Sequence, residues 1–138
     1  MSSKVFKTMI VILAVVAIAG MGAVIIYLLN QDDPNRELTI DEKVEYSFTT
    51  EQINLDLQDG HYVQLQFNII TNNSKARDEV ELREFQFKNI LIKEFIEMTS
   101  EDLQTGLDKL EETLKSDMNE LMEEGEVTDV YIVSKIVQ

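Results

Sequence analysis

The sequence predicts a single N-terminal transmembrane helix followed by one α+β domain. A run of 21 residues, Met9 to Leu29, contains no charged residue, no Asn, no Gln and no Pro. Farther along, apolar and polar residues alternate before residue 72 and after residue 126, which predicts strands. Between them, apolar residues at steps of three and four predict two helices. Strands, two helices and a further strand indicate helices packed on one antiparallel or mixed sheet.

The apolar run is long enough to cross a membrane. At 1.5 Å per residue, a helix over Met9 to Leu29 spans roughly 31 Å, which matches the hydrocarbon core of a bilayer. The alternative is a cleavable signal peptide, since Ala17-Ile18-Ala19 has the form of a cleavage site. That site lies inside the run, however, whereas a signal peptide's apolar region is usually about 7–15 residues and ends at its cleavage site. Length therefore favours an uncleaved anchor.

Charges around the run predict its orientation. Lys4 and Lys7 precede it, whereas Asp32 and Asp33 follow it closely. Because lysines near a span stay in the cytoplasm, we expect residues 1–8 to be cytoplasmic. The residues after the span should then lie on the outer side of the cytoplasmic membrane. All 26 acidic residues follow the run, in a chain whose net charge is −14. This charge argues against nucleic acid as a partner, which requires cations that neutralise phosphates.

A short tether separates the run from the predicted domain. Residues 30–37 are polar, carry the only proline of the chain, Pro34, and show no periodicity. Residues 38–138 are enough for one modest core and no second domain. The chain has no cysteine, which excludes disulfides and thiolate chemistry.

Three stretches before residue 72 alternate in polarity. Residues 44–48 predict a half-buried strand, and residues 53–57 and 63–69 predict the two strands of a hairpin. A two-residue turn at Asp59-Gly60 would place the apolar sets of the hairpin on opposite faces. A three-residue loop, Asp59 to His61, pairs Leu57 with Val63 on the same face, so we predict the longer loop.

Two helices are predicted after the hairpin. The first is capped by Asn73 or Ser74 and runs to about Met98. The second is capped by Thr99-Ser100, and Gly125 fits the position just after its end. Its core-facing side is predicted to be a single apolar stripe of Leu103, Leu107, Leu110, Leu114, Met118 and Leu121.

The second half of the first helix is apolar on nearly all sides. Such a segment either lies at the centre of the core or is covered by another chain. Both alternatives stay open from the sequence. The candidates for contact with another subunit or a partner are Phe85, Phe87, Ile92, Phe95 and Ile96.

The last predicted strand, residues 127–138, is apolar on both faces. Val130, Ile132 and Ile136 face one way, and Tyr131, Val133 and Val137 face the other. A strand of this kind is usually internal to a sheet.

No motif predicts a catalytic residue, a bound cofactor or a metal site. His61 is the only histidine, and Asp59 beside it is explained by turn chemistry. The acidic residues of the second helix lack the alternating spacing of a calcium loop. No serine lies in a nucleophile elbow, and no glycine-rich phosphate loop is present. We therefore expect a protein that is not an enzyme.

Three stretches of the chain resemble the bacterial flagellar basal-body-associated protein family FliL. They are YSFTTEQINLDLQDGHYVQLQFNIIT, REFQFKNILIKEFIEMTSEDL and LMEEGEVTDVYIVSKIVQ. The most specific part is FQFKNILIKEF followed by MTSEDL. One departure is Arg83-Glu84-Phe85, where the family often has Arg-Asp-Phe. The likeness covers nearly the whole chain, anchor and tether included.

This resemblance implies a non-enzymatic accessory of the flagellar motor in the cytoplasmic membrane. Its exported domain would resemble stomatin/prohibitin-type domains. It implies association with stator proteins of the MotA/MotB type and other basal-body components, homo-oligomeric rings around the stator, and support of swimming and swarming under load. The alternative is a membrane-tethered ligand-binding or sensory domain. Only eight residues precede Met9, which are too few for a cytoplasmic signalling module.

Overall fold

The computed structural model describes residues 2–30 and 36–138. A long helix, α1 (Ser3–Asn30), is followed by a compact α+β unit over Leu38–Gln138. Most of the predicted tether, residues 31–35, lies outside the described residues. The elements of the compact unit are, in chain order, α2 (Ile40–Glu45), β1 (Ser47–Thr49), β2 (Ile53–Asp56), β3 (Tyr62–Thr71), α3 (Ser74–Leu82), α4 (Glu84–Phe95), α5 (Asp102–Thr105), α6 (Leu107–Leu121) and β4 (Val127–Val137).

Helix α1 is 28 residues long and contains the predicted span. The stretch Ser3–Leu29 is long and apolar enough to cross a membrane, and none of its most apolar window is buried within the protein. A helix with apolar side chains on all sides is suited to a lipid environment. The prediction of an N-terminal apolar helix is confirmed.

Strand β3 is the centre of a four-stranded antiparallel sheet. One of its edges pairs with β1 and β2, and the other pairs with β4 along almost its full length. Its alternate side chains Val63, Leu65, Phe67 and Ile69 are fully buried. They form one core cluster with apolar residues of α3, α4, α5 and α6, so the helices cover one face of the sheet. The predicted α+β class is confirmed.

The hairpin between β2 and β3 has the predicted loop length but a different register. Leu57 pairs with His61, whose carbonyl accepts the Leu57 N–H at 2.9 Å, and does not pair with Val63. The loop is therefore Gln58–Gly60, one residue earlier than predicted. Gly60 has φ 82°, and a left-handed residue is favoured at the last position of a three-residue hairpin loop. Leu57 is opposite His61, which is two positions before the predicted partner Val63. Since side chains alternate between the two faces of a strand, a shift by two positions leaves the apolar side chains of both strands on the same face.

The predicted strand over residues 44–48 is wrong for its first part, which belongs to α2. Thr39 and Glu42 form a capping box: the Thr39 hydroxyl accepts the Glu42 N–H at 3.3 Å, and the Glu42 carboxylate accepts the Thr39 N–H at 3.0 Å. This box fixes the start of a helix and overrides the alternating pattern. Val44 is consequently 67% exposed instead of facing the core.

Each of the two predicted helices is interrupted once. The first begins at the Asn73 cap, breaks at Arg83 between α3 and α4, and ends at Phe95 rather than near Met98. The second breaks at Gly106 between α5 and α6. Its predicted core stripe is confirmed: Leu103, Leu110, Leu114 and Met118 are buried, and Leu107 and Leu121 pack against the core.

Gly125 does not occupy the predicted helix-ending position, because α6 already ends at Leu121 with Met122 as its cap. It has φ 154° and passes close to the β3–α3 corner. An added Cβ would lie 2.5 Å from Asn72 Oδ1 and 2.5 Å from Asn73 Nδ2. Glycine is therefore required both by the backbone conformation and by the close approach.

Strand β4 is an edge strand, so the prediction of an internal strand is wrong. Among the strands that the structure describes, β4 pairs with β3 alone. Near its end, the side chains of Val133, Ile136 and Val137 are exposed.

Two polar side chains of α6 close the first half of the free β4 edge. The Asn119 amide accepts the Val127 N–H at 2.7 Å and donates to the Val127 carbonyl at 2.9 Å. The Glu111 carboxylate accepts the Ile132 N–H at 3.1 Å. Farther along, Gln138 and Tyr62 exchange both of their backbone hydrogen bonds. By the alternation of an antiparallel ladder, the N–H groups of residues 135 and 137 point away from β3.

Candidate partner-binding surface

Helix α4 divides its apolar residues between two opposite sides. Phe87, Leu91 and Phe95 are fully buried and face the sheet. The ring of Phe87 meets that of Phe67 edge to face, with centroids 5.2 Å apart and planes at 88°. Such a contact adds to the burial of both rings. The inner side of α4 is therefore ordinary core.

The outer side of α4 carries a line of exposed apolar residues that continues from the end of α3. They follow one another at steps of three, four, three and four residues, with a single polar residue in the middle. The apolar members are 54% to 77% exposed. We call this line the α4 stripe; it consists of Leu82, Phe85, Asn89, Ile92 and Ile96.

The five residues predicted from the sequence as contact candidates thus fall into two groups. Phe87 and Phe95 are fully buried, so they cannot present their side chains to another chain. Phe85, Ile92 and Ile96 belong to the α4 stripe and are exposed. The contact itself stays a prediction, now limited to these three residues. A sequence that is apolar on all sides of a helix does not reveal which side faces the core.

A groove lies beside the stripe, between α4 and α6. Its volume is 530 Å³. Ile90 and Leu121 are half-buried residues in it that pack against the core. We call it the α4–α6 groove; its lining includes Phe85, Asn89, Ile90, Asp117, Glu120 and Leu121.

The α6 side of the groove is acidic. Asp117 and Glu120 are three residues apart, so they lie on the same side of α6. Among the residues that the structure describes, neither carboxylate has an ion-pair partner. Sequence reasoning missed these two residues, because a run of acids on an amphipathic helix looks like any solvated face.

The end of α6 is fixed by a buried carboxylate of α3. Glu79 is only 8% exposed. It accepts the backbone N–H of Glu123 at 2.8 and 3.0 Å, the N–H of Glu124 at 2.9 Å and the Arg83 Nε–H at 3.1 Å. We call this arrangement the Glu79 clamp. It holds the loop that follows Leu121 and so fixes one end of the groove.

The clamp also determines the charge state of Glu79. Burial acts to raise the pKa of this carboxyl. The hydrogen bonds from Glu124, Glu123 and Arg83 outweigh that effect and hold the pKa below its ordinary value. Glu79 is therefore ionised at neutral pH. Nothing in the local sequence distinguishes it from the exposed acids around it, so this role could not be predicted.

A second carboxylate ties the hairpin tip to the α4–α5 connection. Asp59 accepts the Ser100 hydroxyl at 2.7 Å and the Ser100 N–H at 3.0 Å, and these bonds hold the pKa of Asp59 well below its usual range. His61 Nδ1 lies 3.1 Å from the same carboxylate. The pair thus has a structural explanation in the turn, as the sequence predicted for Asp59.

Within residues 2–30 and 36–138, no three His, Cys, Asp or Glu side chains are grouped so that they could hold a metal ion. The polar arrangements described above use their groups to fix loops and strand edges. The α4 stripe and the α4–α6 groove are exposed features that these arrangements do not use.

Comparison with known proteins agrees with this picture. Residues 46–138 match the sequence model of the family described as "Flagellar basal body-associated protein FliL". The chain is also 28% identical over 119 residues to "Flagellar protein FliL" of Bacillus subtilis (strain 168). That alignment covers 83% of this chain and 85% of the relative. The family is one of flagellar accessory proteins and not a known enzyme family.

The family match spans the β1–β4 sheet and both surfaces of α4, and it covers well over half of the chain. Together with an N-terminal helix that is long and apolar enough for an anchor, it fits a single-pass, membrane-anchored protein of the flagellar basal body. The chain belongs to the family of flagellar basal body-associated proteins FliL.

Proposed function

We propose that this protein associates with the stator units of the flagellar motor, of the MotA/MotB type, and supports torque generation and motility under load. The observation that carries the proposal is the α4 stripe on a domain of the basal-body family. An exposed, aligned set of large apolar side chains adds nothing to the stability of an isolated domain and is typical of a protein-binding surface. The protein therefore acts by binding and not by catalysis.

We further infer that α1 crosses the cytoplasmic membrane once, with residues 1–8 in the cytoplasm. The lysines Lys4 and Lys7 and the acidic residues beyond the helix support this orientation. The compact unit then lies outside that membrane, where it can reach other extracytoplasmic parts of the motor. Its fold would be of the stomatin/prohibitin type, consistent with the family resemblance.

The stripe end formed by Ile92 and Ile96 is the proposed contact between neighbouring subunits of a homo-oligomeric ring. Apolar residues at alternating steps of three and four, interrupted by one asparagine, are the pattern by which helices pack on one another in register. In the stripe that asparagine is Asn89. The contact gives each subunit a defined neighbour.

Ile92→Asp and Ile96→Asp test this contact in the purified full chain in detergent. The mass of the assembly should fall towards the monomer while circular dichroism and thermal unfolding stay unchanged. Val44→Asp is the matched control, since Val44 is also well exposed, at 67%, but lies on α2. Outright unfolding of the Ile92 and Ile96 variants, or an unchanged assembly mass, would show that the stripe is not a subunit contact.

The function itself is tested by swimming speed against medium viscosity in a strain that lacks the protein, with filaments counted by microscopy. Normal filament numbers with a speed that falls disproportionately as viscosity rises would support a role at the torque-generating unit. Unchanged speed at every viscosity would refute the proposed role and favour the tethered ligand-binding or sensory domain.

A further inference from the structure

We propose that the α4–α6 groove binds a basic amphipathic helix of another protein. The inference rests on the proposed function, since it gives the chemical class of a motor partner for the same face of the domain. It concerns the groove, whereas the subunit contact proposed above concerns the far end of the α4 stripe.

The shape of the groove suits a helix. Two neighbouring helices form its walls, and its volume of 530 Å³ can take a few aliphatic side chains. Ile90 and Leu121 offer apolar contacts between the two helices, and Phe85 is 71% exposed at the edge. A helix that lies in such a groove inserts apolar side chains at i, i+3 or i+4, and i+7.

The charge of the groove selects a basic partner. Asp117 and Glu120 stand on its α6 side, unpaired among the described residues, and the chain as a whole carries −14. Lys or Arg side chains beside the apolar face of the bound helix would meet both carboxylates at the rim. Complementary charges of this kind speed association and exclude acidic competitors.

A second copy of this chain fits the groove less well. Its α4 carries two lysines, and Lys88 is already paired with Glu84 at 3.4 Å. Only Lys93 remains on that helix to meet two carboxylates. The observations therefore favour another protein over a self-contact.

The test uses the full chain in phosphatidylcholine nanodiscs and two synthetic helical peptides labelled with fluorescein. Both peptides carry leucines at i, i+3, i+4 and i+7; one has lysines beside them and the other has glutamates. Binding is measured by fluorescence anisotropy, with the signal of empty nanodiscs subtracted. The lysine peptide should bind at least about tenfold more tightly than the glutamate peptide.

Charge-reversed variants locate the site. Asp117→Lys with Glu120→Lys should weaken the lysine peptide about tenfold, and Phe85→Asp should weaken it to a similar extent. The matched control is Asp41→Lys with Glu45→Lys, which reverses two exposed charges on α2. This control changes the net charge equally but should leave affinity nearly unchanged.

Two results would overturn the inference. Equal losses in the two double variants would show that the peptide responds to net charge alone, and unchanged affinity in the groove variants would place binding elsewhere. If the groove variants reduce the assembly mass of the chain, the occupant is a second copy. Because binding is measured without motility, a strain with no defect under load would refute the proposed function without affecting this result.

Discussion

The Glu79 carboxylate holds the backbone N–H of Glu123 at 2.8 and 3.0 Å from its two oxygens. Two residues of like charge are thus joined through the side chain of one and the main chain of the other. The Glu123 side chain itself is 81% exposed and reaches towards Arg83. The loop after α6 is therefore fixed by an ionised acid that is almost completely buried.

Replacing Glu79 by Gln should destabilise the domain by about 1–3 kcal/mol, because the amide loses the charge and cannot accept all four hydrogen bonds. Thermal unfolding of the full chain in detergent, followed by circular dichroism, measures this. Glu81→Gln is the control, since Glu81 is exposed on the same helix. Equal stability of the two variants would contradict the role of the clamp.

The clamp also predicts a dependence of stability on pH. The pKa of Glu79 is lowered in the folded protein from an ordinary value of 4.5. Its contribution is therefore complete above about pH 5 and is lost as the pH falls below 4.5 and through the lowered folded pKa. Unfolding midpoints measured between pH 7 and 3 should fall more steeply in the wild type than in Glu79→Gln. Parallel curves would mean that Glu79 is not the titrating group.

Gly125→Ala should be more destabilising than Gly60→Ala. Both glycines have positive φ, 154° and 82°, so each alanine strains the backbone by roughly 1–3 kcal/mol. Only at Gly125 does the new Cβ also meet neighbouring side chains, at 2.5 Å, whereas nothing lies within 4 Å at Gly60. The difference between the two unfolding free energies measures the close approach. A larger loss at Gly60 would contradict it.

Replacing two phenylalanines separated by one residue should change stability by very different amounts. Phe87→Ala removes a fully buried ring and should cost about 3–5 kcal/mol of unfolding free energy. Phe85→Ala, at a side chain that is 71% exposed, should change stability by less than about 0.5 kcal/mol. Chemical denaturation of the two variants gives both values. Similar losses would show that Phe85 is also part of the core.

The half-closed edge of β4 predicts a pattern of amide hydrogen exchange. The Ile132 amide should exchange slowly because Glu111 accepts its N–H, and Glu111→Ala should accelerate it. The outward amides of Lys135 and Val137 should exchange quickly, while that of Ile136, which faces β3, is protected. Strong protection at Lys135 and Val137 in the assembled protein would reveal that another chain covers this edge.

Much of the fold follows from periodicity. The alternation over residues 53–57 and 63–69 correctly predicted that the apolar side chains of both hairpin strands lie on one face of the sheet. The leucine stripe correctly predicted which side of α6 is buried. The register differed because turn chemistry, through the left-handed Gly60, decides where the loop ends. In α2, the Thr39–Glu42 capping box competed with an alternating pattern, and the box determined the structure.

Features that depend on tertiary packing could not be predicted in this way. The apolar residues of β4 predicted a strand inside the sheet. They do not reveal that its outer edge is instead bonded by side chains of α6, and only over its first half. Likewise, the position of Glu79 beneath the α6–β4 loop depends on residues more than forty positions away. The same holds for the groove, since Phe85 and Glu120 come together only once both helices pack on the sheet.

The topology of β3 also fixes the order in which the domain can be completed. Its first edge is paired by β1 and β2, which precede it closely, but its second edge is paired by β4, which follows every other element in the chain. At a synthesis rate of about 5–20 residues per second, that edge stays open for several seconds in a nascent chain. During this time the strongest apolar strand of the protein can pair with a wrong neighbour. A polypeptide cut before residue 127 would lack β4 and would keep this edge of β3 open permanently.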